Sequence, residues 1–292
     1  MPLGELLSLA TALCWALTNL FFGEATRRVG AFTVNMMRLP VALAVLTVPV
    51  FLMSSPWTGA GQREVGLLAV SGLVGLLVGD IAWLAALPRL GARLTVLVLA
   101  LAPVFASLAG LVILGEHLGP SAVVGIAVTL AGVALVVTER GSGPATAHLG
   151  PGLVLALVAA SCQGIALVVA KLGMAEGISA LSATWVRLVA ATAGLLVLAA
   201  ARGRLRPRAL VRAAHPAAWA IAGGILLGPL VGVWLSLVAV RLTDVGVAAT
   251  LMATSPVLII PVAMITERYR PTLRATLGTL VAVAGVALLM LR

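Results

Sequence analysis

The sequence predicts an all-α integral membrane protein of ten transmembrane helices, built as two inverted five-helix repeats. Three observations predict it. Hydrophobic residues make up 62% of the chain and charged residues 10%, with a mean hydropathy of +1.18. Apolar runs of about 20 residues, the length that crosses a bilayer, recur from end to end. The two halves close on the same pattern of an acid, a proline and two spaced glycines.

Composition alone excludes a water-soluble fold. Soluble domains carry about 25% charged residues, because surface-to-volume scaling forces a large polar skin. Lipid removes that requirement. The net charge of +10 would suggest nucleic acid in a soluble chain. Here the arginines sit in short connections between apolar runs, and no basic stripe is interleaved with aromatics. The charge therefore reads as membrane topology, with no nucleic-acid partner expected. Cys14 and Cys162 fall inside apolar runs and read as packing residues rather than a disulfide or metal pair. His117, His148 and His215 all lie in connections, so neither a metal nor a cofactor is expected. The segment Met1–Glu5 lacks the basic start of a signal peptide, so the first apolar run should remain as a membrane helix.

Taken in order, the expected spans are 3–22, 32–53, 65–87, 92–114, 120–138, 150–170, 180–200, 217–239, 243–265 and 271–291. Turn and charge signals separate them: Arg27-Arg28, Ser54-Ser55-Pro56, Pro88-Arg89, Gly119-Pro120, Gly141 to Pro144, and Arg202 to Pro216. Residues 1–140 and 150–292 form the two repeats. Gly125 and Gly132 in the fifth span match Gly278 and Gly285 in the tenth, and each pair lies on one helix face open to another backbone. Asn35 to Arg38 matches Thr184 to Arg187, and Cys14-Trp15 matches the region of Cys162-Gln163.

An odd number of spans per repeat places the second copy upside down, and charge tests that. The connection after the second span holds Arg63 alone, whereas its counterpart holds Arg202, Arg204, Arg206, Arg208 and Arg212. With the N-terminus inside, the cytoplasmic segments would hold Arg63, Lys171, Arg241 and Arg292. The opposite side would hold the five arginines just named with Arg27, Arg28, Arg89, Arg93, Arg140, Arg268, Arg270 and Arg274. The positive-inside rule therefore places both termini outside, in a multi-pass protein of the plasma or inner membrane.

Polar residues inside spans are expensive and should face protein or a watery cavity; Asp or Arg at a helix centre costs about 2.5–3.5 kcal/mol. Asp80 lies deepest, with Trp83 on the same face. It reads either as a contact for a substrate amine or proton, or as half of an ion pair with a nearby arginine. Arg38 and Arg187 read either as a paired contact for a carboxylate or phosphate, or as arginines snorkelling to the interface. Trp15, Asn19, Trp83, Gln163 and Trp234 would line a central cavity, or else pack as aromatic anchors. Glu116 and Glu267 read as turn residues. Pro103, Pro256 and Pro261 should kink their helices, and Gly75/Gly79 and Gly224/Gly228/Gly232 offer close-packing faces.

With these residues in place the chain resembles the ten-helix EamA-like branch of the drug/metabolite transporter superfamily. The resemblance rests on Trp15, on Met37-Arg38-Leu39, on Leu101-Ala102-Pro103-Val104-Phe105 leading to Gly115-Glu116, and on Gly125 and Ala131-Gly132-Val133. Arg187, Ser255-Pro256-Val257, Glu267, Gly278 and Gly285 repeat it. It implies a secondary transporter for small organic metabolites, and a cavity role for Trp15. It also implies cytoplasmic termini, against the charge count. The expected activity is export of amino acids or related compounds by alternating access. No GxxxxGK[ST] motif offers ATP binding. Proton coupling through Asp80 and either a monomer or a homodimer are compatible with the sequence. An integral membrane enzyme on lipid-linked substrates would need clustered acids or histidines at one interface, which the sequence does not offer. A passive channel is the remaining alternative.

Overall fold

A computed structural model describes residues 3–53, 61–113, 115, 119–137, 149–174, 178–242, 251–252, 254–266 and 272–290. Glu116, Glu267, His117 and His148 lie outside the described residues. The elements are α1 (Leu3–Met53), α2 (Gln62–Gly72), a π-helical segment (Leu73–Gly79), α3 (Asp80–Leu99), α4 (Ala102–Ile113), α5 (Pro120–Val137), α6 (Leu149–Gly173) and α7 (Ala180–Ala201). There follow α8 (Pro207–Ala214), α9 (Ala218–Ile225), a second π-helical segment (Leu226–Gly232), α10 (Val233–Leu242), and the helices Ser255–Thr266 and Leu273–Met290. Among the described residues, six helical runs are long and apolar enough to cross a membrane, with two shorter apolar helices beside them.

The 51 residues of α1 would reach about 75 Å if straight, more than twice the bilayer core. Gly30 divides it, at φ 80° and ψ 153°. Gly91 divides α3 in the same way, at φ 76° and ψ 164°. Only glycine adopts this backbone readily, so a single non-helical residue ends one helical segment and starts the next. The breaks expected at Arg27-Arg28 and Pro88-Arg89 therefore move two or three residues onward, because backbone freedom and not charge sets the turn. Gly30→Ala and Gly91→Ala are each expected to cost about 1–3 kcal/mol, read as a lowered thermal midpoint.

Two prolines also act differently from expectation. Pro103 and Pro256 are the second residues of their helices, where no N–H donor is required, so they start helical segments instead of kinking them. Pro261 does lie inside its helix.

The spaced glycines become the contacts between halves. A Cβ on Gly132 would collide with the backbone of Ala282, and one on Gly285 with the backbone of Thr129. A Cβ on Gly278 would meet Val136. As numbering rises in α5 it falls in Leu273–Met290, so the two helices pack antiparallel. The contacts are also reciprocal, as a two-fold relation requires. The third helical run of each half packs on the first run of the other. Gly75 and Gly79 face Ala166 and Cys162 of α6, while Gly228 and Gly232 face Thr18 and Trp15 of α1. The two π-helical segments, LVGLLVG and LLGPLVG, occupy matching places in these contacts.

Candidate functional site

The first π-helical segment ends where Asp80 begins α3. Widened turns of this kind are frequent at functional sites because they re-aim the residues beyond them. Asp80 is 4% exposed and forms an ion pair with Arg38, which is 9% exposed. Arg38 approaches from the α1 segment beyond Gly30. Its guanidinium also donates to Asn35 Oδ1 at 3.4 Å, and lies 5.7 Å from the Phe22 ring centre and 5.4 Å from that of Trp83. Phe22 and Trp83 meet edge to face at 5.6 Å. The charged pair is thus walled by two aromatic rings, which favour a cation near their faces.

A hydrogen-bonded chain continues from the aromatic wall. Trp83 Nε1 donates to Asn19 Oδ1 at 2.8 Å, and Asn19 Nδ2 donates to the Trp15 carbonyl at 2.8 Å. Trp15 is half-buried, and its indole nitrogen lies beside Gly232. Trp83→Phe keeps an aromatic ring but strands the Asn19 acceptor, and is expected to cost about 1–3 kcal/mol. Comparing thermal midpoints of Trp83→Phe and the double variant with Asn19→Leu checks this, because the double variant should recover part of the loss.

Arg187 enters from the second half on α7. A Cβ on Gly72 would collide with its backbone carbonyl, and one on Gly75 would lie 3.5 Å from its Nη2. Only glycines admit the arginine this close to the π-helical segment. Its guanidinium thus lies against the helical run that ends at Asp80. The centre therefore holds two guanidinium groups against one carboxylate, drawn from both halves. Among the described residues, three of its buried donors have no hydrogen-bond acceptor: Asn35 Nδ2, Arg38 Nε and Arg187 Nε.

The structure brings Asn19, Arg38, Asp80 and Trp83 together, with Arg187 at the margin and Trp15 one helical turn away. Arg38 is not snorkelling to an interface; the ion pair weighed for Asp80 is with Arg38. Gln163 is half-buried on α6 beside Cys162, and the described contacts do not join it to the pair. The Trp234 side chain lies outside the described residues. Phe22 and Asn35 complete the centre. The sequence offers Asn35 by its one-turn spacing from Arg38, whereas nothing distinguishes Phe22 from other apolar residues.

Comparison with known proteins agrees with this architecture. The family model of the EamA-like transporter family matches twice, over residues 2–138 and 150–291. An uncharacterized transporter of Archaeoglobus fulgidus is 24% identical over 288 residues, covering 98% of this chain and 97% of its own. A solved structure described only as a crystal structure of a protein shares the fold, with TM-score 0.63, 18% identity, and coverage of 98% of this chain and 95% of its own. With both halves matched, this multi-pass membrane protein belongs to the EamA-like transporter family.

Proposed function

We propose that the chain is a secondary transporter of small organic metabolites, exporting amino acids or related compounds by alternating access between two inverted five-helix repeats. The observation that carries this reading is the charged centre at the junction of the halves, with the buried pair Arg38 and Asp80 from one and the half-buried Arg187 of the other against the same helical run. A carrier needs its site at the repeat interface, reachable from either side as the halves rock. The antiparallel, reciprocal contacts of α5 with Leu273–Met290 support the inverted arrangement. The glycine-lined contacts of α1 and α6 supply smooth surfaces for such motion.

Saturable counterflow in proteoliposomes tests this. Preloaded amino acid should accelerate entry of the labelled compound, with a rate that saturates. Linear entry without such acceleration across an amino-acid panel would contradict the carrier and favour the channel. The lipid-linked enzyme is set aside by membership of a transporter family.

The orientation proposed is with both termini outside. Arg28 donates to the Pro216 carbonyl at 3.2 Å and lies 5.6 Å from the ring centre of the exposed Trp219. Arg204 lies 5.6 Å from the Phe32 ring centre. Two basic runs far apart in sequence thus gather at one end of the molecule, where α8 also exposes Arg208 and Arg212. Such an end suits the cytoplasmic face and its anionic lipids. Reporter fusions at both termini should be active only as non-cytoplasmic fusions; cytoplasmic activity at either end would reverse the assignment.

A further inference from the structure

We infer that the site recognises the carboxylate of its substrate, and that Asp80 is a built-in stand-in which the substrate carboxylate displaces from Arg38. The inference rests on the carrier reading above and names the substrate class of that centre. Its first ground is the set of stranded donors. Asn35 is fully buried and Arg38 nearly so, yet Asn35 Nδ2 and Arg38 Nε lack acceptors, as does Arg187 Nε. Buried donors without partners are costly and uncommon. They sit in one locality, since Arg38 donates to Asn35, and Arg187 reaches the π-helical segment that ends at Asp80.

Charge count is the second ground. Two guanidinium groups face one carboxylate, so the centre carries an excess positive charge. That excess favours a substrate carboxylate, whose oxygens would also supply acceptors for the stranded donors. A guanidinium binds a carboxylate bidentately, using Nε and one terminal nitrogen. Arg38 reaches Asp80 through Nη2 only, and its Nε is left over. The Asp80 pairing is therefore incomplete, and a bidentate ligand can improve on it.

Displacement leaves Asp80 facing a site beside the Trp83 ring. An ammonium group on the same substrate would replace Arg38 as its counter-ion. A zwitterionic α-amino acid then matches the centre at both ends. Before binding the Arg38–Asp80 pair holds the site together, and the substrate exchanges its two charges for the internal ones. No net charge is left more deeply buried by binding.

The test measures ligand-dependent thermal shifts and competition in purified full-length protein. The probes are leucine, leucinamide, which lacks the carboxylate, and 4-methylpentanoate, which lacks the amine. Leucine should stabilise the wild type more than 4-methylpentanoate, which brings no counter-ion for the displaced Asp80, and leucinamide should be at least about tenfold weaker than leucine, the cost of losing one charge-assisted contact. Arg38→Gln should weaken leucine and 4-methylpentanoate by at least about tenfold. Asp80→Asn should instead tighten 4-methylpentanoate, because its competitor for Arg38 is gone. A purely structural ion pair would make both variants lose binding together. Comparing the two unliganded melting midpoints separates misfolding from lost recognition, and the leucinamide comparison needs no variant. The inference is overturned if leucinamide binds as well as leucine, if Arg38→Gln binds 4-methylpentanoate like the wild type, or if neither carboxylate produces a shift. Saturable counterflow of amides or cations alongside any of these results would leave the carrier reading standing.

Discussion

Arg38→Ala is expected to destabilise the protein by about 3–5 kcal/mol, the range seen when one partner of a buried ion pair is removed. Asp80 would then keep a buried carboxylate without its cation, among Trp83, Phe22 and apolar helix faces. The aromatic wall would also lose the guanidinium it holds at 5.4 Å and 5.7 Å. The pair itself adds little net stability, because desolvating two charges offsets most of their attraction. The double variant Arg38→Leu with Asp80→Leu should therefore be far more stable than Arg38→Ala, within about 1–2 kcal/mol of the wild type. Thermal midpoints in detergent, compared across this cycle, check the expectation. If Arg38→Ala costs under about 1 kcal/mol, the arginine reaches water and the buried centre is misplaced.

Gly132→Leu and Gly285→Leu are expected to lose at least about 3 kcal/mol each, the upper end for overpacking. At both positions the added Cβ meets backbone of the facing helix, and backbone cannot rotate away as a side chain can. The helices would have to separate along their length. Two-fold reciprocity makes a sharper claim: the two substitutions should cost similar amounts, since each repeats the other's contact. Gly66 provides the control. Nothing lies within 4 Å of a Cβ placed there, in the exposed face of α2. Gly66→Ala should leave stability unchanged or raise it by up to about 1 kcal/mol, through helix propensity. Equal losses at Gly66 and Gly132 would show that glycine content matters here and not interhelical approach.

Much of this molecule is written in its periodicities. Apolar run length gives the membrane class, and the glycine pairs of α5 and Leu273–Met290 announce a backbone approach that the structure places between the halves. Spacing also puts Asn35 with Arg38 and Asp80 with Trp83. What spacing cannot give is which face meets which. The Arg38–Asp80 pairing spans 42 residues and depends on the non-helical break at Gly30 and on the widened turn before Asp80. Both features arise from glycine backbone freedom and contact with neighbouring helices, and hydropathy does not record either. Phe22 likewise becomes part of the centre only because α9 and α3 press on it, as its contacts with Gly224 and Trp83 record. Prolines mislead for a related reason. Pro103 and Pro256 mark breaks correctly, but whether a proline kinks a helix or opens one depends on where the preceding segment ends.

Alternating exposure of the centre can be measured without knowing the substrate. Gln163 lies half-buried on α6, the helix that packs against the run delivering Asp80. With Cys14 and Cys162 replaced by serine, a single cysteine at Gln163 can be probed with a membrane-impermeant thiol reagent from each side in turn. The account predicts labelling from both sides, each slowed when the opposite side is held open by a trapped substrate or an inter-repeat cross-link. Labelling from one side alone, or from both sides at rates no such trap alters, would contradict alternating access.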